Sequence, residues 1–392
     1  RLKDSKRILI FGNTGLNNAN NSTNNRMKAV FYDLYKNHNL QLDYYKMRAA
    51  SLDVDYINYV NEKENKSIFQ TIRIITNQRI NYHLSIGETF KGALISYILY
   101  LLKGTPFVWR QFGSTFNDDL APFIFKPKVV LKFILHKIIS NSKGCKAIIC
   151  TEDGCANKAL FIERLGTPLK KFNLIKNQRT PINSQTISIK KESNNFIITQ
   201  VGRISSWKKI HLLLKSLSLA SSKSAHFKKN YFLQIIGLTQ EESYERYLKK
   251  YVENNKMSNQ VFFFNNLSLN ELSSKLNEST ITVSLTAYNP IIESLQNGTP
   301  VITYEYGEVS EIFEKCNAVK VICNDLKKSS NLSLIQEQRI IEELSEELLN
   351  SFNNKEKLAV TGIEGKKYVE NNFPTLEEHV QLINQVLIKA IN

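Results

Sequence analysis

Cysteine is scarce and unpatterned: Cys145, Cys150, Cys155, Cys316 and Cys323 are odd in number and show no CxxC or zinc-finger spacing. A disulfide framework and a structural zinc module are thereby excluded, and a reducing, cytosolic setting is the expectation. Long apolar runs are missing as well. The longest, 93–102 (ALISYILYLL), has ten residues, where a spanning helix needs about 18. No signal peptide is legible in a chain that opens on Arg1, which leaves a removed leader open. Basic runs longer than two are absent from the first half, as are helix-turn-helix, RNP and KH signatures. Nucleic acid is therefore the least expected partner.

What the chain does have is length and unevenly placed charge. Its 392 residues predict two or three domains at about 150 residues each. Apolar types supply 42% of the sequence and mean hydropathy is −0.28. That is enough for two cores and too much for a disordered or collagen-like chain. Net charge is +16, and the whole surplus lies in residues 1–190, which carry 29 basic and 13 acidic residues. Residues 191–392 carry 23 of each. The two halves thus suit different partners, the first an anionic membrane or a phosphate-bearing ligand. Within it, 126–146 (KPKVVLKFILHKIISNSKGCK) reads as a helix with Lys128, Lys132 and His136 at i, i+4 and i+8. Phe133, Leu135, Ile138 and Ile139 fall on its other faces. Lys126, Lys128, Lys132 and Lys137 are the candidate membrane or acceptor contacts, at about 1 kcal/mol per basic residue near anionic lipid. Lysines that merely face water are the plainer reading of the same pattern.

Short continuous apolar runs alternate with helical patterns. Segments 7–12 (RILIFG), 82–86, 106–112, 147–151 (AIICT) and 173–176 read as buried strands, with helical periodicity from about Arg26, over 89–103 and over 155–166. This alternation predicts parallel β-α-β units covered on both faces. Residues 178–194 are polar, contain Pro181 and lack periodicity, so they read as a linker. Beyond them 196–201, 232–236, 261–264, 281–285, 301–304 and 319–322 repeat the strand pattern. Helices fit at 209–220, 241–254, 270–277 and 291–297, followed by helix alone at 334–352, 356–371 and 376–391. The expected fold is α/β, with two doubly wound Rossmann-like αβα domains at 1–177 and 195–372 and a final segment, 373–392. Ligands in such sheets sit beyond the carboxyl ends of the strands, so the cleft between the domains is the expected site.

Three segments carry chemistry. In VGRISSWKK, Gly202 and Arg203 follow a strand, and Lys208 and Lys209 come where the next helix starts. A glycine turn, two cations and a helix N-terminus make an anion site, with diphosphate the obvious guest; a basic turn facing solvent is the alternative. In 288–300 (YNPIIESLQNGTP) a short helix is predicted from Ile291, closed by Asn297 and Gly298 as a left-handed cap. Glu293 then falls in the first turn, where the helix dipole favours a carboxylate. There it can accept two hydroxyl hydrogen bonds from a sugar diol, or simply cap its own helix. Gly237, after 232–236, is a strand-to-loop glycine.

VGRISSWKKIHLLLKSL, FLQIIGLTQ, VFFFNNLSLNELSSKL and IIESLQNGTPVITYEYGEVSEIF stand in the order and spacing of retaining glycosyltransferase family 4. The chain resembles that family over 196–315, and its first half more loosely. The resemblance implies a GT-B fold and a UDP- or GDP-sugar donor held by the second domain, with no metal and no other cofactor. It implies retaining hexosyl transfer to a hydroxyl of a glycan or lipid-linked acceptor, in cell-surface polysaccharide or glycolipid synthesis at the inner face of the membrane. Arg203 and Lys208 then match the residues contacting the diphosphate, and Glu293 the one binding the donor ribose. Gly15, Gly202, Gly237 and the backbone of Tyr288, Asn289, Ile291 and Ile292 would help hold the donor. The last helix, behind Phe373 and Pro374, resembles the family's segment that crosses back to the first domain. The base pocket falls near 264–266.

The chain also departs from the family. Leu285 stands eight positions before Glu293, where an earlier glutamate is common. Pro290 lacks an amide hydrogen, Gln111 or Phe112 takes the place of a first-domain histidine, and Gly12 and Gly15 replace a denser glycine loop. Asp53-Val54-Asp55 matches the DxD metal motif of the other glycosyltransferase fold outside its context, and reads as chance. These departures keep a second expectation open, a catalytically inactive GT-B protein that binds a glycan or a partner transferase.

Overall fold

The computed structural model describes residues 6–12, 22–47, 55–60, 67–77, 80–113, 127–152, 157–180, 195–265, 267–286, 288–305, 309–326 and 332–392. Gly15, Lys126, Asp53 and most of the expected linker, 181–194, lie outside them. The chain divides into two compact units, Arg1–Gln178 with Pro374–Asn392, and Arg179–Phe373.

Unit 1 runs β1 (Arg7–Gly12), α1 (Ser22–His38), β2 (Gln41–Lys46), β3 (Ile57–Tyr59), α2 (Ile68–Asn77), β4 (Leu84–Glu88), α3 (Thr89–Lys103), β5 (Phe107–Gln111), α4 (Pro127–Asn141), β6 (Cys145–Glu152) and β7 (Phe172–Lys176). Its strands form one parallel sheet in the order β3-β2-β1-β4-β5-β6-β7. Because successive side chains point to opposite faces, β1 serves two cores at once. Ile8 and Ile10 pack with Val30, Phe31 and Leu34 of α1, while Leu9 and Phe11 pack with Ile75, Ile95 and Leu99 on the other side.

Unit 2 runs β8 (Phe196–Val201), α5 (Ile210–Lys223), α6 (Ala225–Asn230), β9 (Tyr231–Ile236), α7 (Glu242–Asn254), β10 (Val261–Phe264), α8 (Leu269–Glu278), β11 (Ile281–Val283), α9 (Asn289–Gln296), β12 (Val301–Tyr304), α10 (Val309–Ile312), β13 (Val319–Ile322), α11 (Leu334–Asn353) and α12 (Lys355–Asn372). Its sheet is also parallel, in the order β10-β9-β8-β11-β12-β13. One face carries α5 and α11 through Leu213, Leu217, Ile340 and Leu344; the other carries α9 and α12 through Ile291, Leu295 and Val369.

The chain then enters α13 (Leu376–Ile391), which belongs to unit 1. A capping box starts it: Thr375 accepts from the Glu378 amide and Glu378 from the Thr375 amide. Val380, Ile383 and Leu387 complete the α1 face of the first sheet.

Some expectations shift. Within the segment read as helical over 155–166, whose first two residues lie outside the described ones, Ala159–Arg164 is a π-helical turn rather than an α-helix. The strand expected at 82–86 begins and ends two residues later, so Glu88 is buried in the sheet. β2 (QLDYYK) escapes the apolar pattern because it buries Asp43, whose charge is met by Arg7 at 2.8 Å.

Candidate active site

Parallel sheets gather the loops that follow their strands along one edge. In unit 2 that edge holds Gly202 after β8 and Gly237 after β9. The two backbones nearly touch there: a Cβ on Gly237, whose φ is +157°, would come within 2.0 Å of the Gly202 carbonyl oxygen. Only glycine permits that approach. The chain after β8 continues beside β9, with the Ile204 amide donating to Leu238 O at 2.9 Å.

A 3-10 turn, Ser206–Lys208, follows, and Lys209 caps α5 in the left-handed region at φ 54°. The turn sends Lys208 back over the strand end. A Cβ on Gly202 would meet Lys208 Cε at 3.4 Å, and Lys208 Nζ lies 4.0 Å from the centre of the Trp207 ring. Lys208 is 9% exposed, whereas Arg203 beside it is exposed. Burial first, and then the like charge of Arg203, lower the Lys208 ammonium against the pull of Glu293, to about 8. The three residues singled out for the donor therefore share one electrostatic neighbourhood.

Glu293 is half-buried, accepts a hydrogen bond from Thr180 Oγ1 at 3.3 Å, and has its pKa raised by burial against the pull of Thr180 and Lys208. Its position in the helix differs from expectation. α9 begins at Asn289 with Pro290 in its first turn, where a missing amide costs nothing. Glu293 consequently lies in the second turn, and its local support is Thr180 and Lys208 rather than the helix terminus. The early start also uses up expected donors: the amides of Ile291 and Ile292 donate to Tyr288 O at 3.0 and 3.4 Å. Their side chains and the Tyr288 ring, tilted against Phe313 and Phe373, belong to the core. Asn289 is half-buried at the helix start. Leu285 is a core residue, 4% exposed.

Three polar residues at this edge escaped the sequence reading. Ser205 Oγ, Thr286 Oγ1 and Glu305 Oε2 are buried and make no hydrogen bond among the described residues. Each follows a strand within a few residues, which is the signal that could have found them. Buried polar atoms without partners are uncommon in folded proteins, and here they line the strand edge that carries Arg203 and Lys208.

In unit 1, α4 corrects the expected lysine stripe. Lys128 and Lys137 are exposed and Lys132 half-buried. His136 instead faces inward, its ring stacked on Phe90 at 4.0 Å, and burial lowers its pKa to about 4. The outward stripe is apolar: Leu131, Ile134 and Ile138 are 59%, 47% and 46% exposed. Among the described residues no helix is long and apolar enough to cross a membrane, and no cluster of three potential metal ligands occurs.

Comparison with known proteins agrees with this architecture. Residues 183–361 match the family model described as glycosyl transferases group 1, while no curated protein matches the sequence. The chain is similar to a glycosyltransferase from Rickettsia africae at TM-score 0.70 and 15% identity, covering 100% of both chains. It is similar to Anabaena HepE in complex with UDP at TM-score 0.69 and 14% identity, covering 98% of this chain and 100% of that one. WaaG, a glycosyltransferase involved in lipopolysaccharide biosynthesis, gives TM-score 0.62 at 12% identity over 97% of this chain and 98% of its own. The fold is therefore GT-B, and the match to the family model falls within its second unit.

Proposed function

We propose that the protein transfers a hexosyl group from a nucleotide-diphospho-sugar to a hydroxyl of a glycan or lipid-linked acceptor, with retention at the anomeric carbon and without a metal ion. The observation that carries this reading is the convergence of Arg203, Lys208 and Glu293 at the strand edge of the segment that matches the group 1 glycosyl transferase model. When the anomeric C–O bond breaks, negative charge collects on the departing β-phosphate. Arg203 and Lys208 would neutralise it, and preorganised charges in a water-poor site act strongly. Lys208 is already desolvated, so a diphosphate supplies the counter-charge that its burial lacks. Retention follows from attack on the face the phosphate leaves: the acceptor oxygen bonds to the anomeric carbon and its proton passes to a phosphate oxygen. Glu293 would hold the ribose diol. UDP is the favoured nucleotide, since a protein of this fold is known with UDP bound.

The acceptor reading rests on the surplus of positive charge in the first half of the sequence and on α4. Leu131, Ile134 and Ile138, with the exposed Lys128 and Lys137 on the same helix, form an apolar strip with basic flanks, the pattern of a helix that lies in an anionic membrane surface. A peripheral position at the inner leaflet suits a lipid-linked or lipopolysaccharide-type acceptor.

A thermal-shift series with UDP- and GDP-sugars tests the reading. A rise in Tm with one of them, unchanged by chelator, is the expected result; no response to either refutes it. The buried Leu285 in place of an earlier glutamate favours one alternative, a binding protein without turnover. Donor binding with neither hydrolysis nor transfer would establish that instead.

A further inference from the structure

Unit 1 holds a second charge cluster, at the carboxyl ends of its own strands. Glu88 at the end of β4 and Arg110 in β5 are register partners. Side-chain alternation places both on the face of Ile86 and Val108, which is the face covered by α1 and α13. Arg26 of α1 donates to Asn177 Oδ1 just beyond β7, and His379 comes from the first turn of α13. Arg110, Glu88, Arg26 and His379 are 3%, 0%, 6% and 1% exposed.

Two polar groups here lack hydrogen-bond partners among the described residues. Among the described residues no oxygen accepts a hydrogen bond from the Arg110 guanidinium, whose close neighbour is the Phe112 ring at 4.9 Å. His379 bonds to Lys176 O through Nδ1 at 2.8 Å, so Nδ1 carries the proton and Nε2 is a buried lone pair without a donor. Burial, then Arg110 and Arg26, hold His379 neutral, with its pKa lowered to about 3. Burial also lowers Arg110 to about 10, helped by Arg26 and opposed by Glu88. The first turn of α13 adds the positive end of its dipole to the same place.

A buried guanidinium from which no oxygen among the described residues accepts a hydrogen bond fits one kind of guest. We propose that this cluster binds a single acidic group of the acceptor, phosphate or carboxylate, with Arg110 as its forked contact and His379 Nε2 accepting from a neighbouring hydroxyl. Guanidinium matches either oxyanion with two parallel hydrogen bonds. The proposal rests on the transferase reading of unit 2 and adds the chemistry of what is glycosylated: an acidic sugar or a phosphate-bearing lipid glycan.

The test uses the whole chain saturated with UDP, which fills the diphosphate pocket of unit 2. Calorimetric titration with glucose 6-phosphate, glucuronic acid and glucose should show at least one acidic sugar binding at least tenfold more tightly than glucose, and which one does so tells phosphate from carboxylate. Arg110→Met should remove that preference while UDP affinity stays unchanged. Its Tm without sugar should equal or exceed that of the wild type, because apolar volume replaces a buried guanidinium whose hydrogen bonds are unmade. Equal binding of all three sugars by the wild type, or a preference that survives in Arg110→Met, overturns the proposal. If Arg110→Met does not fold, Arg110→Lys keeps the charge without the fork, and there too the preference should fall at least tenfold. UDP binding without acidic preference removes this subsite alone; acidic preference without UDP binding leaves the subsite and removes the transferase reading.

Discussion

At the scale of single residues, Lys208 connects geometry to rate. Removing one preorganised charge from such a site costs about 10²–10³ in turnover. Arg203→Ala and Lys208→Ala should therefore each lose at least that much kcat, and near-normal transfer by either would dismiss the assignment. The lowered Lys208 pKa, about 8, gives the reaction a pH signature. The ammonium is charged below that value and loses its proton above it, so kcat/KM for the donor should fall as pH rises through about 8. Lys208→Arg, which does not titrate in this range, should abolish that limb in a pH-rate profile; a limb that persists belongs to another group. The identity of these residues was legible in VGRISSWKK, but the burial of Lys208 was not. It depends on the fold back over Gly202 and the contact with Trp207, which no spacing records. The amides of Ile291 and Ile292 were misjudged for a local reason: Pro290 is comfortable in a first helical turn, so α9 starts earlier than apolar periodicity suggested.

At the scale of elements, buried parallel strands were the most readable part, since a strand covered on both faces is a continuous apolar run. β8, β10, β12 and β13 fall where the pattern placed them. β2 and β4 deviate because each carries a buried carboxylate, Asp43 and Glu88, that pattern counting scores as surface. α4 failed in a complementary way. Its lysines were visible, but the side facing the core is set by the Phe90 and Trp109 rings that receive His136. The exposed strip this leaves makes its own prediction. Ile134→Glu should not lower Tm, since the side chain is 47% exposed, yet it should weaken binding to vesicles containing anionic lipid at least tenfold, because a buried apolar contact worth about 1.5–3 kcal/mol is replaced by a repelled charge. Unchanged co-sedimentation with those vesicles would remove α4 from the membrane reading.

At the scale of the whole molecule, each unit has its own core, and the first draws part of its core from the far end of the sequence. Val380, Ile383 and Leu387 are each no more than 7% exposed, and burying three such side chains contributes about 5–9 kcal/mol. That is comparable with the net stability of a typical domain. Ile383→Asp places an unpaired charge in that core and should abolish the folding of unit 1, while UDP still raises the Tm of the remaining transition. A single lost transition, with no UDP response, would mean the units do not melt separately. The same arrangement governs the order in which the protein can be born. A ribosome delivers β1 and α1 long before α13, so the α1 face of the first sheet stays only partly covered until residue 387 has left the exit tunnel. Unit 2, though made later, has every strand and helix it needs before then, so the second unit matures ahead of the first, and the earlier segment is the one that needs shelter during synthesis.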